Sequence, residues 1–188
     1  EATITKERTS LKGAPSDLDP KTAMKLRILN DLSDDLELKK VIASLENSPD
    51  QSEEVRRKAA PVVSKLVDMH ASGVGRDERS ELIKDILDEA VGLGPLEKLL
   101  EDPSVTEIMV NGPYKIFIEK SGLVQLSPMK FASNDSLKKV IDRIVAPLGR
   151  SININMPYVD ARPQDGSRVN AVIPPLAIDG AAVTIRKF

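Results

Sequence analysis

The stretch VTEIMVNGPYKIFIEKSGLVQL, residues 105–126, decides the fold of the second half of this chain. Ile116 and Ile118 alternate with Phe117, which is the two-residue period of a β-strand. Two groups of turn residues divide the stretch, Asn111-Gly112-Pro113 and Ser121-Gly122. Strands joined by such short turns pair locally and antiparallel, so we predict adjacent hairpin strands over residues 105–110, 114–119 and 123–126.

A helix and three further strands are predicted downstream. The polar run Ser133-Asn134-Asp135-Ser136 is typical of a helix N-cap, and it precedes apolar residues at helical spacing. Strands are predicted near residues 158–162, 168–173 and 181–186, and a short helix over 95–101 precedes the first hairpin. The fold class predicted for this half is α+β with a mainly antiparallel sheet.

Upstream of Gly94 the apolar residues recur at helical spacing instead. Pro61 lies inside the second of three such stripes and should kink or split that helix. We predict a flexible lead-in over 1–19, a three-helix bundle over 20–92 and an α/β domain over 93–188. The three apolar stripes are Met24, Ile28, Leu32, Leu36, Leu38, Val41, Ile42 and Leu45; Val55, Ala59, Val62, Val63, Leu66 and Met69; and Leu82, Ile83, Ile86, Leu87, Ala90 and Val91.

The composition excludes several classes of function. With 27 basic and 29 acidic residues and only 3% aromatic residues, the chain lacks the charge and the stacking surface typical of nucleic-acid binding. It has no cysteine and a single histidine, His70, which excludes a disulfide framework and thiolate or histidine-cluster metal sites. No apolar run has the length of a membrane span and no signal peptide is visible, so we expect a cytoplasmic protein.

The sequence also lacks a complete catalytic site. It contains no Gly-rich loop ending in Gly-Lys-Ser/Thr, so no backbone cradle for a nucleotide β-phosphate is predicted. His70 is expected to face solvent near a helix end, and pairs such as Asp34-Asp35 and Glu53-Glu54 are expected to be solvated or capping residues. Phe188 lies within an apolar, strand-like run, and we expect further chain after it.

The segment VDARPQDGSRVN, residues 159–170, carries the most specific chemical signal. Pro-Gln-Asp-Gly is turn chemistry, and the turn should bring Arg162 and Arg168 together across a hairpin. Two guanidinium groups on one rigid hairpin can bind a phosphate. The alternative is two ordinary surface arginines paired with Asp160 or Asp165. Arg150, Arg186 and Lys187 add positive charge to the same half.

Four stretches together resemble the N-terminal domain of the CpaF/TadA-type ATPases of the type II/type IV secretion superfamily, which drive assembly of Flp/Tad pili. The resemblance covers roughly residues 74–188. It departs from the family pattern at Asn153-Ile-Asn-Met-Pro157, where the family often has an acidic pair, and in the position of the turn proline. The stretches are GLGPLEKLLEDPSVTEIMVNG (92–112), IDRIVAPLGR (141–150), VDARPQDGSRVNAVIPPLA (159–177) and TIRKF (184–188).

The resemblance implies a hexameric ring in which this region sits in front of a RecA-like motor domain that is absent from the chain. Nucleotide would bind at the seam, with Arg162 and Arg168 reaching its phosphates and Arg186 at the phosphates or at the hinge. It implies ATP and Mg²⁺ in the full-length protein, with neither bound tightly to this region alone. Peripheral membrane association would come through an inner-membrane platform protein, and the alternative function is a module that docks the ATPase on such a platform or on a localisation partner.

Overall fold

The computed structural model describes residues 18–36, 38–40 and 52–188. Within these residues helices and an antiparallel sheet coexist, so the predicted α+β class is confirmed. None of the helices described is both long and apolar enough to cross a membrane. The helices are α1 (Pro20–Asp34), α2 (Ser52–His70), α3 (Arg76–Val91), α4 (Leu96–Glu101) and α5 (Asn134–Val145), followed by the 3₁₀ turn Ala146–Leu148. The strands are β1 (Val105–Asn111), β2 (Ile116–Lys120), β3 (Leu123–Leu126), β4 (Tyr158–Ala161), β5 (Arg168–Val172) and β6 (Ala182–Arg186).

The six strands form one sheet in the order β3-β2-β1-β6-β5-β4, and every neighbouring pair is antiparallel. The predicted hairpins are present. Ser121 and Gly122, which join β2 to β3, both have positive φ (52° and 77°), as the tight turns that match strand twist require. Strand β2 begins at Ile116 rather than at residue 114. The central pairing, β1 with β6, joins residues far apart in sequence, such as Glu107 and Arg186.

One face of the sheet is covered and the other is open. Alternate residues along each strand point into a core shared with α4 and α5, exemplified by the cross-strand row Ile116, Val110, Val183, Ala171 and Val159. The residues between them, such as those of the row Met109, Thr184, Asn170 and Asp160, lie on the opposite face. The open face therefore carries the polar side chains of β4, β5 and β6.

Helices α1, α2 and α3 share a second hydrophobic cluster. Met69 and Leu36 of the predicted stripes are exposed instead: Met69 is 65% exposed because Val67 and Ala71 take the buried positions, and Leu36 is 70% exposed. Pro61 does not split α2, which runs unbroken through it. Residues 1–17, 37 and 41–51 lie outside the described part, so the lead-in and the three-helix bundle as a whole stay predictions. The cluster is formed by Ile28, Leu29, Leu32, Leu38, Ala59, Val63, Val67, Ala71, Leu82, Ile86, Leu87 and Ala132.

A buried group of charges joins these helices to the sheet domain, and we call Lys25, Glu89 and Arg143 the polar junction. The Glu89 side chain is 0% exposed; its Oε1 accepts a hydrogen bond from the Ala132 backbone N–H (2.6 Å) and its Oε2 pairs with Lys25 Nζ (2.7 Å). Lys25 Nζ also donates to the carbonyl oxygen of Lys130 at 2.9 Å. These contacts tie α1 and α3 to the segment that leads into α5.

Arg143 of α5 completes the polar junction. Its guanidinium donates to the backbone carbonyl oxygens of Glu89 (3.0 Å) and Gly92 (2.7 Å), and also to that of Ala90. These carbonyl oxygens lie at the end of α3. Because the last carbonyl oxygens of a helix have no intrahelical N–H donors, they need donors from elsewhere. Burial lowers the pKa of Arg143, although a guanidinium stays charged at neutral pH. The end of α3 is therefore bonded directly to the helix that covers the sheet.

Candidate functional site

The hairpin of β4 and β5 positions the predicted site residues. Ala161, the last residue of β4, pairs with Val169, and the chain turns between them through residues 162–168. Gly166 has φ 81° and its N–H donates to the Pro163 carbonyl oxygen (3.2 Å), which is the predicted turn. The Asp165 carboxylate accepts hydrogen bonds from the Ser167 backbone N–H (3.0 Å) and hydroxyl (2.6 Å), which lower its pKa. The Asp165 carboxylate therefore stabilises the turn through Ser167, and it is not the partner of Arg168.

Arg168 is held by a carboxylate on the neighbouring strand. Its Nε lies 3.1 Å from Asp160 Oδ1 and its Nη2 lies 2.6 Å from Asp160 Oδ2, a bidentate pair. The hydrogen bond from Arg168, with a smaller contribution from the charge of Arg162, lowers the pKa of Asp160. Both side chains stay in contact with solvent, at 43% exposed for Asp160 and 58% for Arg168. Of the two carboxylates suggested by the sequence, Asp160 is the one that pairs with Arg168.

A cleft of about 580 Å³ lies beside this pair, and we call it the arginine cleft. Three arginines, Arg150, Arg162 and Arg168, line the cleft together with one acidic residue, Asp160. Arg150 and Arg162 are exposed, and among the described residues neither side chain forms a hydrogen bond or ion pair. The cleft therefore carries positive charge that the surrounding protein leaves unbalanced. Its lining residues are Leu148, Arg150, Asp160, Ala161, Arg162 and Arg168.

Arg186 lies next to the arginine cleft rather than in it. It is the cross-strand partner of Arg168 on one side and of Glu107 on the other, so three charged residues form a row across β5, β6 and β1. A second, smaller cleft of about 330 Å³ lies along this row and is lined by Glu107, Arg168, Asn170, Thr184 and Arg186. Arg168 lines both clefts and links Arg186 to the other arginines.

The arginine cleft suits the binding of anions. Guanidinium groups present fixed, planar sets of N–H donors that match the oxygens of phosphate. Throughout the described residues there is no group of three or more His, Cys, Asp or Glu side chains that could hold a metal ion. The Asp160 carboxylate at the cleft is occupied by Arg168, and the Asp165 carboxylate in the neighbouring turn is occupied by Ser167. The charges of the described residues that line the cleft thus suit a polyanion.

The hairpin spacing predicted two of the cleft arginines and offered Asp160 as one of two candidate partners, but it did not place Arg150 beside them. Arg162 and Arg168 do come together, and Arg186 lies one strand further along the sheet. Arg150 reaches the same cleft because the chain reverses at Gly149, which has φ 66° and closes the turn after α5. The glycine directly after Pro-Leu indicated a chain reversal in the sequence. It did not indicate which part of the sheet Arg150 would lie beside.

The other singled-out polar residues have structural partners. His70 lies at the end of α2, where its Nε2 is 2.7 Å from Asp31 Oδ2 on α1. The Asp35 carboxylate accepts a hydrogen bond from the Leu38 backbone N–H, and Glu54 pairs with Lys58 one helical turn later. The contacts of Asp35 and Glu54 fit the capping and surface roles that the sequence indicated, whereas the His70 side chain, expected to face solvent, is only 21% exposed.

Comparison with known proteins identifies the family. The model of the family described as "Type II/IV secretion system protein" matches residues 89–188, more than half of the chain. An uncharacterised protein of Methanocaldococcus jannaschii is 35% identical over 99 residues, which cover 51% of this chain and 14% of that protein. A protein of Mycobacterium tuberculosis provisionally named a conjugal transfer protein is 26% identical over 104 residues, covering 52% of this chain and 30% of that protein.

Among solved structures, the chain is similar to the VirB11 ATPase of the Brucella suis type IV secretion system, determined in complex with sulphate. The sequence identity is 28%, the match covers 50% of this chain and 29% of that one, and the TM-score is 0.45. The matched region thus spans under a third of the length of each of these relatives. On the match over residues 89–188, which contains the whole sheet and every arginine of the cleft, the chain belongs to the type II/IV secretion system protein family.

Proposed function

We propose that this chain is the N-terminal positioning region of a hexameric ATPase that powers pilus assembly or type II/IV secretion. In this proposal Arg162 and Arg168, together with Arg186 at the hinge or the phosphates, contribute to a nucleotide site at the seam with a RecA-like motor domain. ATP and Mg²⁺ would be bound by the full-length protein. The observation that carries the proposal is the arginine cleft, which is lined by three arginines and a single acidic residue.

The charges of the cleft support a role in phosphoryl transfer rather than in catalysis by proton transfer. Hydrolysis of a nucleoside triphosphate spreads negative charge over the oxygens of the transferred group. Cations that are already in place when that charge develops stabilise the transition state without a reorganisation cost. Arg162 needs no partner exchange to meet such a group, because no residue of the described chain holds it. The phosphate loop and the Mg²⁺ ligands would have to come from the motor domain.

The proposal is tested in the full-length protein by replacing Arg162 or Arg168 with Ala. We expect ATP turnover to fall about 100- to 1,000-fold, the range for removing one donor that stabilises transition-state charge, with an unchanged unfolding midpoint. Lys139→Ala, an exposed cation on α5, is the matched control and should leave turnover unchanged. Normal turnover in both arginine variants, or turnover by residues 1–188 alone, would exclude the proposal.

The finer assignment to the CpaF/TadA type, and with it Flp/Tad pilus assembly on an inner-membrane platform, is part of the same proposal. It is supported by the stretches at 92–112 and 159–177 that resemble that type. Its test is the phenotype of the deleted gene in the source organism. Loss of pili with secretion retained would support the pilus assignment, and loss of secretion with normal pili would contradict it.

A docking role of the predicted three-helix bundle is the second candidate. The outer side of α2 is exposed at Arg57, Pro61, Lys65 and Met69, which recur every four residues opposite the buried positions. Arg56 of α2 pairs with Asp88 of α3 and with Glu97 of α4 (3.1 Å), so this surface is joined to the sheet domain and a partner bound there would be held in a defined position. Such a surface suits an inner-membrane platform protein or a localisation partner.

Charge reversal on this surface separates the two roles. In the full-length protein, the double variant Arg57→Glu and Lys65→Glu should abolish assembly while ATP turnover is retained, if the helices dock the enzyme. Lys139→Glu on α5 is the control for altered surface charge. Normal assembly by the double variant would exclude the proposal that the protein docks through α2.

A further inference from the structure

We propose that Asp160 is a resident counter-ion that holds Arg168 in the empty cleft and releases it to the incoming phosphate. This inference rests on the proposed function, because it takes a polyphosphate as the ligand of the arginine cleft. It adds a carboxylate to a site that has otherwise been described by its arginines. Asp160 would act as a positioning residue, since its effect passes through Arg168.

Before a ligand binds, Arg168 is paired with a carboxylate and Arg162 is not. Both oxygens of Asp160 are engaged by Arg168, at 3.1 Å and 2.6 Å. Arg162 and Arg150 line the same cleft without a hydrogen-bond or ion-pair partner among the described residues. A phosphate entering the cleft thus meets two available guanidinium groups first. Arg168 can join only if its bonds to Asp160 are exchanged for bonds to phosphate oxygens.

The exposure of the pair makes that exchange feasible. Ion pairs in contact with solvent contribute little stability, because water and salt screen them. Asp160 is 43% exposed and can be rehydrated when Arg168 leaves it. A carboxylate and a phosphate offer a guanidinium the same bidentate geometry, so Arg168 changes partner without losing donors. A triphosphate, which also attracts Arg150 and Arg162, can therefore displace a single carboxylate.

The pairing also gives the empty cleft a defined state. An unpaired Arg168 would be free to sample several rotamers, and this freedom would be lost on binding. The Asp160 pair limits that freedom beforehand. It also neutralises one of the three positive charges, so that a singly charged anion would have to compete with Asp160 for Arg168.

The experiment measures binding of inorganic tripolyphosphate to the 188-residue chain by calorimetry or by NMR titration. Asp160→Asn removes the competing charge, and we expect it to tighten binding about two- to fivefold, the range expected of an exposed ion pair. Asp142→Asn is the matched control, because Asp142 also pairs with a cation, Lys138 at 2.6 Å, but lies on α5 under the covered face of the sheet. It should leave the affinity unchanged.

A double-mutant cycle distinguishes exchange from simple repulsion. If Asp160 acts by holding Arg168, the gain from Asp160→Asn should shrink to the level of the control in an Arg168→Ala background. An equal gain in both backgrounds would show that Asp160 only repels the ligand, and would overturn the inference. So would an unchanged or weakened affinity of Asp160→Asn itself. If Arg162→Ala and Arg168→Ala both leave binding unchanged, the proposed function fails as well, which is a separate and recognisable result.

Discussion

The polar junction and the arginine cleft are built from the same kinds of side chain but differ in how their charges are balanced. At the junction the Glu89 side chain is 0% exposed and Lys25 is 9% exposed, and carboxylate, ammonium and guanidinium groups all have partners within the protein. At the cleft the side chains are exposed, and Arg150 and Arg162 have no partner within the described residues.

This difference separates structural from functional charge. A buried charge must be paired, since an unpaired one carries a large desolvation cost. An exposed cation carries no such cost and can stay unbalanced until an anion arrives. We therefore expect substitutions at the junction to change stability, and substitutions at the cleft to change ligand binding at nearly constant stability.

Glu89→Ala should have the largest effect on stability. The substitution leaves the Lys25 ammonium buried opposite no carboxylate and removes the acceptor of the Ala132 N–H. Breaking a buried pair in this way costs about 3–5 kcal/mol, measured as the free energy of unfolding in urea. Asp142→Ala, which breaks an exposed pair, should cost no more than about 1 kcal/mol. Equal losses in the two variants would contradict the structural role of the junction.

Arg143→Ala should destabilise the chain by a smaller amount, about 1–3 kcal/mol, because three carbonyl oxygens at the end of α3 lose their donor. Some of these oxygens can then bond to water, which limits the loss. Hydrogen exchange should show the last turn of α3 opening before the sheet. A variant in which α3 keeps its full protection would show that Arg143 does not hold this end.

Asp19, which pairs with Lys130 beside the polar junction, gives the stability of the chain a pH dependence. Its carboxylate accepts hydrogen bonds from the Thr22 backbone N–H and side chain and pairs with Lys130, which together lower its pKa from 3.8 to about 2. A group with a lowered pKa in the folded state stabilises above its unfolded pKa, and this stability is lost as the pH falls from about 4 to about 2.

Asp19→Asn keeps an N-cap acceptor but removes the titrating group. It should flatten the acid limb of the stability curve by at most about 1 kcal/mol, since Asp19 is partly exposed and its interactions are screened. Thermal unfolding at pH 2, 4 and 7 measures the effect. A variant with the same acid sensitivity as the parent would show that other carboxylates control it.

Arg150→Ala should have the smallest effect, on binding alone. Removing one of three cations from an exposed cleft should weaken tripolyphosphate binding about threefold, with an unchanged unfolding free energy. Arg76→Ala, an exposed arginine at the start of α3, is the control and should change neither quantity. Unchanged binding by Arg150→Ala would reduce the site to Arg162 and Arg168.

Local sequence signals predicted much of the fold and part of the site. Alternation at Ile116 to Ile118 and the two-residue turn at Ser121-Gly122 specify a hairpin through short-range sterics, and the structure has it. The pairing of β1 with β6 depends on contacts between distant residues, such as Glu107 and Arg186, for which no local rule exists. Arg150 was not placed at the cleft for the same reason, whereas Asp160, which lies in the same local hairpin as Arg168, was one of the two partners that the sequence offered.

The polar junction did leave a trace in the sequence. Lys25 precedes Ile28 by three residues and Leu29 by four, and Glu89 follows Ile86 by three, so both charges fall on apolar helix faces. A lysine and a glutamate on the buried faces of two helices indicate a buried pair. Which loop of the sheet domain they would meet could not be read from the helical pattern.

The most direct test of this account is an NMR titration of the chain with tripolyphosphate that observes the arginine side chains. We predict that the guanidinium signals of Arg162 and Arg168 shift on titration, with Arg150 following, while those of Arg56 and Arg143 at the helical side stay unchanged. No shift at Arg162 and Arg168, or equal shifts across the exposed arginines of the whole chain, would contradict the claim that the arginine cleft is a phosphate site.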